Sequence, residues 1–134
     1  MTKKELAIAY HDQKYNCAQA VACAFADEVG TDRETLFKTM EGFGLGMGGT
    51  CGTCGAISGA VALCGLKNSD GNLSDPATKA STYQLSKEIV ARFEAKNHAT
   101  LCRDLKGIET GCPLRSCPDC IMDAVEIVSE VLKL

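Results

Sequence analysis

The 134-residue sequence predicts an all-α fold: a single-domain helical bundle of about five to six helices with a central glycine-rich loop. Three observations carry this. Helix-start signatures, an Asn or Thr cap with Glu or Gln three residues on, recur along the chain. No stretch shows the sustained apolar–polar alternation of a half-buried strand. With 5% aromatic residues and no Trp, the core must be built from Ala, Val, Leu, Ile, Met and Cys, and small side chains suit closely packed helices.

The elements follow in order. Thr2-x-x-Glu5 opens a helix to about Gln13, and Asn16-x-x-Gln19 opens a second, CAQAVACAFADEV, closed by Gly30. Thr31-x-x-Glu34 starts a third, ending near Gly42. The loop GLGMGG follows, and Thr53 caps a fourth helix to about Leu66. LKNSDGNLSDP is a turn-rich connection, and Ser74-Asp75-Pro76 marks the start of the longest helix, to about Asn97. A short helical piece spans Thr100 to Leu105. After the irregular GIETGCPLRSCP, Asp119 caps a last helix with an apolar stripe of Ile121, Val125, Val128 and Leu132.

Composition excludes several function classes. A net charge of −3 with scattered lysines gives no basic patch for nucleic acid. The uncharged stretch 42–66 is interrupted by glycines, and its helix-forming part is too short to cross a bilayer, so no membrane insertion is expected. The opening MTKKELAIAYHDQ has neither the long apolar run nor the small-residue cleavage site of a secretory signal, so the expected location is cytoplasmic.

Nine cysteines stand at 17, 23, 51, 54, 64, 102, 112, 117 and 120. In a reducing compartment this density points to metal binding or redox chemistry rather than a disulfide framework. Cys23 and Cys64 lie mid-helix among Ala, Val and Leu, as packing residues. Cys17, Cys54, Cys102 and Cys120 fall in the first turns of four separate helices. There, unpaired N–H groups and the helix dipole favour a thiolate, lowering thiol pKa values from about 8.5 toward roughly 3.5–7.5. If the four ends converge, they form a thiolate pocket, a metal–thiolate centre or a disulfide pair.

Two C-x-x-C pairs occur. Cys51-Gly-Thr-Cys54 leads into a helix in the manner of thiol–disulfide oxidoreductases, without their βαβ context. Cys117-Pro-Asp-Cys120 lies downstream of Cys112. The spacing Cys112-x4-Cys117-x2-Cys120 matches part of a plant-type ferredoxin run, but no cysteine follows Cys120. Together the pairs could also make a Zn(Cys)4 site, with a separation far wider than in a zinc ribbon. Gly44-x-Gly46-x-x-Gly49 satisfies the dinucleotide fingerprint only formally, because a helix precedes it. The glycines Gly48, Gly49, Gly52 and Gly55 instead offer close backbone approach and N–H donors to sulfur or an anion. Gly55 and Gly59 make a smooth helix face, and His11 and His98 read as solvent-facing.

The segments YNCAQAV, GLGMGGTCGTCGAISGA, LCRDL and CIMDAVEIV, in that order, resemble the C-GCAxxG-C-C family of small redox-associated proteins. The resemblance covers nearly the whole chain. Cys17 matches the first motif cysteine, Cys54-Gly55-Ala56 with Gly59 the glycine-rich core, Cys102 the third cysteine and Cys120 the last. Cys51, Cys112 and Cys117 lie outside that pattern. The resemblance implies redox activity. Some relatives form part of a split-Soret-type cytochrome, which implies electron transfer and an iron–sulfur centre, although this chain has no haem motif.

The expectation is therefore a redox protein with a cysteine cluster. In one form Cys17, Cys54, Cys102 and Cys120, with Cys112 and Cys117 as a second tier, ligate a metal, foremost an iron–sulfur cluster. In the other, Cys54 is a nucleophile resolved by Cys51 or Cys17. The alternative is a non-catalytic zinc protein whose thiolates hold helices together and which unfolds on chelation. The expected partner is a redox protein, and a homodimer is an assembly open to the chain.

Overall fold

A computed structural model describes residues 1–134. The fold is all-α, without strands. Seven helices of five or more residues are α1 (Lys3–Asp12), α2 (Cys17–Ala24), α3 (Arg33–Met40), α4 (Gly55–Asn68), α5 (Lys79–Asn97), α6 (Cys102–Lys106) and α7 (Cys117–Leu132). No helix is long and apolar enough to cross a membrane.

The first two starts form as expected, each by a reciprocal capping box. Thr2 Oγ1 accepts from the Glu5 N–H at 3.1 Å, and Asn16 Oδ1 accepts from the Gln19 N–H at 2.9 Å. Elsewhere local competition moves the boundaries. Helix α2 stops at Ala24, because the N–H groups of Phe25 and Ala26 bond three residues back, to Ala22 and Cys23, and Gly30 turns the chain at φ +68°. Asp32, not Thr31, caps α3, its carboxylate accepting from the Thr35 N–H at 2.9 Å. Helix α5 begins at Lys79 rather than near Pro76, because Asn72 Oδ1 accepts the N–H groups of Ser74 and Asp75 and holds them in a turn. Ser116, not Asp119, caps α7, with Oγ accepting from the Asp119 N–H at 3.2 Å and Pro118 in the first turn. The last helix therefore begins three residues before Cys120.

One apolar core joins the helices, with Phe25, Ile57, Leu63, Phe93, Ile121 and Val128 all but fully enclosed. Helix α2 packs most extensively on α4, which in turn packs on α5 and α7. The α2–α4 approach depends on Gly59, where a Cβ would lie 2.6 Å from the carbonyl oxygen of Ala18. Backbone cannot give way as a flexible side chain can. Gly59→Ala is therefore expected to destabilise by about 1–3 kcal/mol, lowering Tm by roughly 3–12 °C. An unchanged melting temperature would show that α2 and α4 have room to spare.

Candidate functional site

The helix starts and the glycine segment converge on one end of the bundle. Between α3 and α4 the chain passes through a 3₁₀ turn, Glu41–Phe43, and a tight coil in which Leu45, Met47 and Thr50 take positive φ values of 56°, 61° and 67°. Such backbone costs non-glycine residues roughly 1–2 kcal/mol each, and persists where surrounding bonds enforce it. Those bonds are present. The N–H groups of Cys54, Cys102 and Arg103 donate to the carbonyls of Thr100, Gly52 and Thr50 at 2.8, 3.0 and 2.9 Å. Thr53 and Leu101 form an isolated antiparallel bridge. Because its backbone is held there, Thr53 does not cap α4, and Cys54 occupies the N-cap position instead. The same stitching brings the start of α6 beside the start of α4. At Gly46, φ +62°, a Cβ would stand 2.5 Å from that of Cys102, so only glycine lets the coil lie against this cysteine.

The result is a cavity of about 170 Å³. Five sulfurs line it, those of Cys17, Cys54, Cys102, Cys117 and Cys120, beside His11, Lys106 and Arg115. Cys17, Cys102 and Cys117 are the first residues of α2, α6 and α7, and Cys120 lies one turn into α7. The four cysteines matched by sequence resemblance thus share one cavity with a fifth, Cys117.

The sulfurs associate in pairs. Cys17 neighbours Cys117 and Cys120 neighbours Cys54, and within each pair one sulfur is pushed toward the thiolate and the other toward the thiol. Cys117 is held down to about 5 by the Cys17 thiol and the Lys106 ammonium, against the opposing effect of burial. Cys54 is also shifted down, first by the Cys120 thiol and then by the N–H groups of Ala56 and Ile57, which face its sulfur from the α4 N-terminus. Cys17 and Cys120 are pushed up by their pairing and by burial. Burial, and then the neighbouring Cys54 sulfur, raise Cys102. Lys106, with no carboxylate beside it, is kept protonated foremost by the charge of Cys117. Exposure grades the two pairs: Cys54 and Cys120 are 6% and 2% exposed, whereas Cys17 and Cys117 are half-buried.

The other sequence candidates lie apart. Cys51 and Cys112 are exposed and do not line the cavity, so the two thiols of Cys51-x-x-Cys54 occupy different environments. Gly48 and Gly49 stand in open space. The N–H groups of Gly48 and Gly52 donate to Gly44 and Gly46 within the coil, at 2.9 and 3.0 Å. Of the four glycines only Gly55 lines the cavity. His11 borders the cavity, while His98 is exposed. Cys23 and Cys64 are buried, their thiols directed at the carbonyls of Arg33 and Ala60.

Sequence reasoning missed the cations and undervalued Cys117. Ser116 ahead of a first-turn proline was the local signal that Cys117 opens a helix. Nothing local marks Lys106. Arg115 is held by Asp123, a carboxylate only 4% exposed, through Nε–Oδ2 and Nη2–Oδ1 contacts of 3.0 and 3.1 Å. Lys96 and Asn97 complete that cluster at 2.9 and 3.2 Å. The donor chemistry of five thiols suits a soft metal. In this arrangement, however, no three Cys, His, Asp or Glu side chains form a group that could hold one metal ion.

No curated protein and no solved structure matches the chain. A family model does, over residues 15–131, a span that includes all five cavity cysteines. The chain therefore belongs to the C_GCAxxG_C_C family, described as putative redox-active protein.

Proposed function

We propose that this protein is a thiol–disulfide redox protein whose reacting centre is Cys117-Pro118-Asp119-Cys120 at the start of α7. The observation that carries the reading is the setting of Cys117. It is half-buried at a helix N-terminus and shares its cavity with Lys106 and Cys17, both of which favour its charged form. The charge that makes a sulfur reactive is thus supplied by three neighbours, and the sulfur remains reachable.

The chemistry needs only the residues present and a substrate disulfide. The Cys117 thiolate attacks one sulfur of that disulfide. A mixed disulfide forms, and the first substrate thiolate leaves. The Cys120 thiol passes its proton to the neighbouring Cys54 sulfur in the same cavity. Cys120 then attacks Cys117, forming the Cys117–Cys120 disulfide and expelling the second substrate thiolate. The substrate is reduced by two electrons and the protein is oxidised by two. Cys54, foreseen as the nucleophile, acts here as the base of the buried partner.

The test is anaerobic purification, followed by assay of iron, acid-labile sulfide and zinc per chain, and by reaction of the reduced protein with a small disulfide. This reading predicts less than 0.1 metal per chain (about a tenfold margin below a resident site), and disulfide formation within the cavity. Stoichiometric iron with sulfide would make the sulfurs ligands of an iron–sulfur centre instead. Stoichiometric zinc, with unfolding on chelation, would establish the structural role.

A further inference from the structure

The α7 pair does not exhaust the sulfurs of the cavity. Resting on the thiol–disulfide reading, we infer that the site is a two-stage relay: the disulfide formed at Cys117–Cys120 is handed inward to Cys54, freeing Cys117 to react a second time with Cys17 as its resolving partner.

The arrangement supports each step. Cys120 lines one cavity with both other sulfurs, three residues from Cys117 along α7 and neighbouring Cys54 at the start of α4. After the first oxidation, Cys54 gives up its proton to the departed substrate thiolate and attacks the sulfur of Cys120. The Cys54–Cys120 bond forms as the Cys117–Cys120 bond breaks. Cys117 leaves as a thiolate opposite the Lys106 ammonium, the charge best placed to receive it. This exchange moves a disulfide without net oxidation or reduction. Cys117 now faces the Cys17 thiol, which its first turnover did not use. Attack on a second substrate disulfide, with Cys17 as resolver, yields a Cys17–Cys117 disulfide and two further substrate thiols.

The gradient of burial gives the direction. Cys54 and Cys120 are nearly enclosed, while Cys17 and Cys117 are half-buried. An oxidising equivalent passed inward is shielded from solvent thiols, and the outer pair stays available to the next substrate. Cys102 also lines the cavity but faces neither member of a pair as a hydrogen-bonding partner. It has no step in the relay.

The test uses the full chain with exposed Cys51 and Cys112 changed to serine, reduced and metal-free. The probe is excess hydroxyethyl disulfide, with the remaining thiols alkylated in denaturant at intervals. Intact mass and peptide mapping then give the number and identity of the sulfurs oxidised. The relay predicts loss of two thiols with Cys54 joined to Cys120, then of four, with Cys17 joined to Cys117. Adding Cys54→Ser should halve the final number, leaving one disulfide. A stable end product linked only Cys117 to Cys120, with Cys54 and Cys17 still alkylated, would overturn the relay and leave the thiol–disulfide reading standing. Other linkages at the four-thiol stage would overturn it too. No cavity disulfide at all would overturn the underlying reading. Because the map is made on a chain with all five cavity cysteines intact, the result does not hinge on the Cys54 variant folding.

Discussion

Replacing Cys117 by serine is expected to slow reaction with a small disulfide by roughly 20-fold at pH 5.5, and to leave a much smaller deficit at pH 7. The difference comes from two opposing effects. A sulfur titrating at about 5 is ~76% thiolate at pH 5.5, against ~0.1% for an ordinary thiol at about 8.5, a ratio of ~760. Nucleophilicity falls with basicity, however, and a Brønsted slope of ~0.45 over ~3.5 pKa units removes a factor of ~40. At pH 7 the thiolate ratio is only ~30, and the two effects roughly cancel. The low value therefore confers an advantage mainly in acid, and at neutrality makes Cys117 chiefly a good leaving group.

The sign of the pH dependence is fixed. Because the thiolate is the reactive form, the rate at Cys117 should rise through a midpoint near 5 and stay flat above it. Lys106→Met and Cys17→Ser should each move that midpoint upward, since each removes a neighbour that favours the charged sulfur. The measurement is a stopped-flow pH–rate profile in the Cys51→Ser, Cys112→Ser background. A single midpoint above 8 in the otherwise unaltered protein would sink the assignment of Cys117.

Asp123→Ala is expected to be the most destabilising change near the site, by about 3 kcal/mol, the lower end for breaking a buried ion pair. That corresponds to a fall in Tm of roughly 10 °C. The carboxylate is nearly enclosed, and its removal orphans the Asn97 side-chain amide, on a residue 5% exposed. The lower end applies because Lys96 and Arg115 are 46% and 35% exposed, so water can partly replace their lost partner. The Asp123 carboxyl is depressed below its ordinary value by Arg115, Lys96 and Asn97, which together outweigh the opposing effect of burial. A depressed carboxyl contributes stability that is present above its unfolded value of about 3.9 and is lost as pH falls through the folded one. The gap in Tm between the two proteins should accordingly be widest at pH 7 and narrow toward pH 3. A constant gap would mean that Asp123 acts by packing alone. The substitution also releases Arg115 from α7, linking the buried carboxylate to the lining of the thiol cavity.

How far the residues alone could reach depended on the range of the interaction involved. Thr2 and Asn16 disclosed their helices because a capping box closes within four residues. The apolar stripe of α7 was visible because its residues recur at helical spacing and are buried on one face. Boundaries failed where two nearby groups competed for one set of N–H donors, as Asp32 did with Thr31, Asn72 with the helix start near Pro76, and Ser116 with Asp119. The last of these displaced α7 by most of a turn and hid the position of Cys117 at a helix start.

The abundance of cysteine at helix starts, and with it a redox or metal class of chemistry, could be read from residue type and spacing. Which sulfur faces which could not. Cys17 and Cys117 stand a hundred residues apart in sequence, and Cys54 meets Cys120 only because α7 packs against α4. The nearby C-x-x-C partner Cys51 was the natural choice by proximity in sequence, yet the hydrogen-bonded coil from Leu45 to Thr53 carries it outward to solvent. Lys106 and Asp123 have no local signature at all, because a charge acquires its role from what the fold places within a few ångströms of it. Secondary structure and chemical class were determined by the sequence by itself; the pairing, burial and charge of the sulfurs were decided by tertiary packing, since Coulomb and hydrogen-bonding terms depend on distance in space and not on separation along the chain.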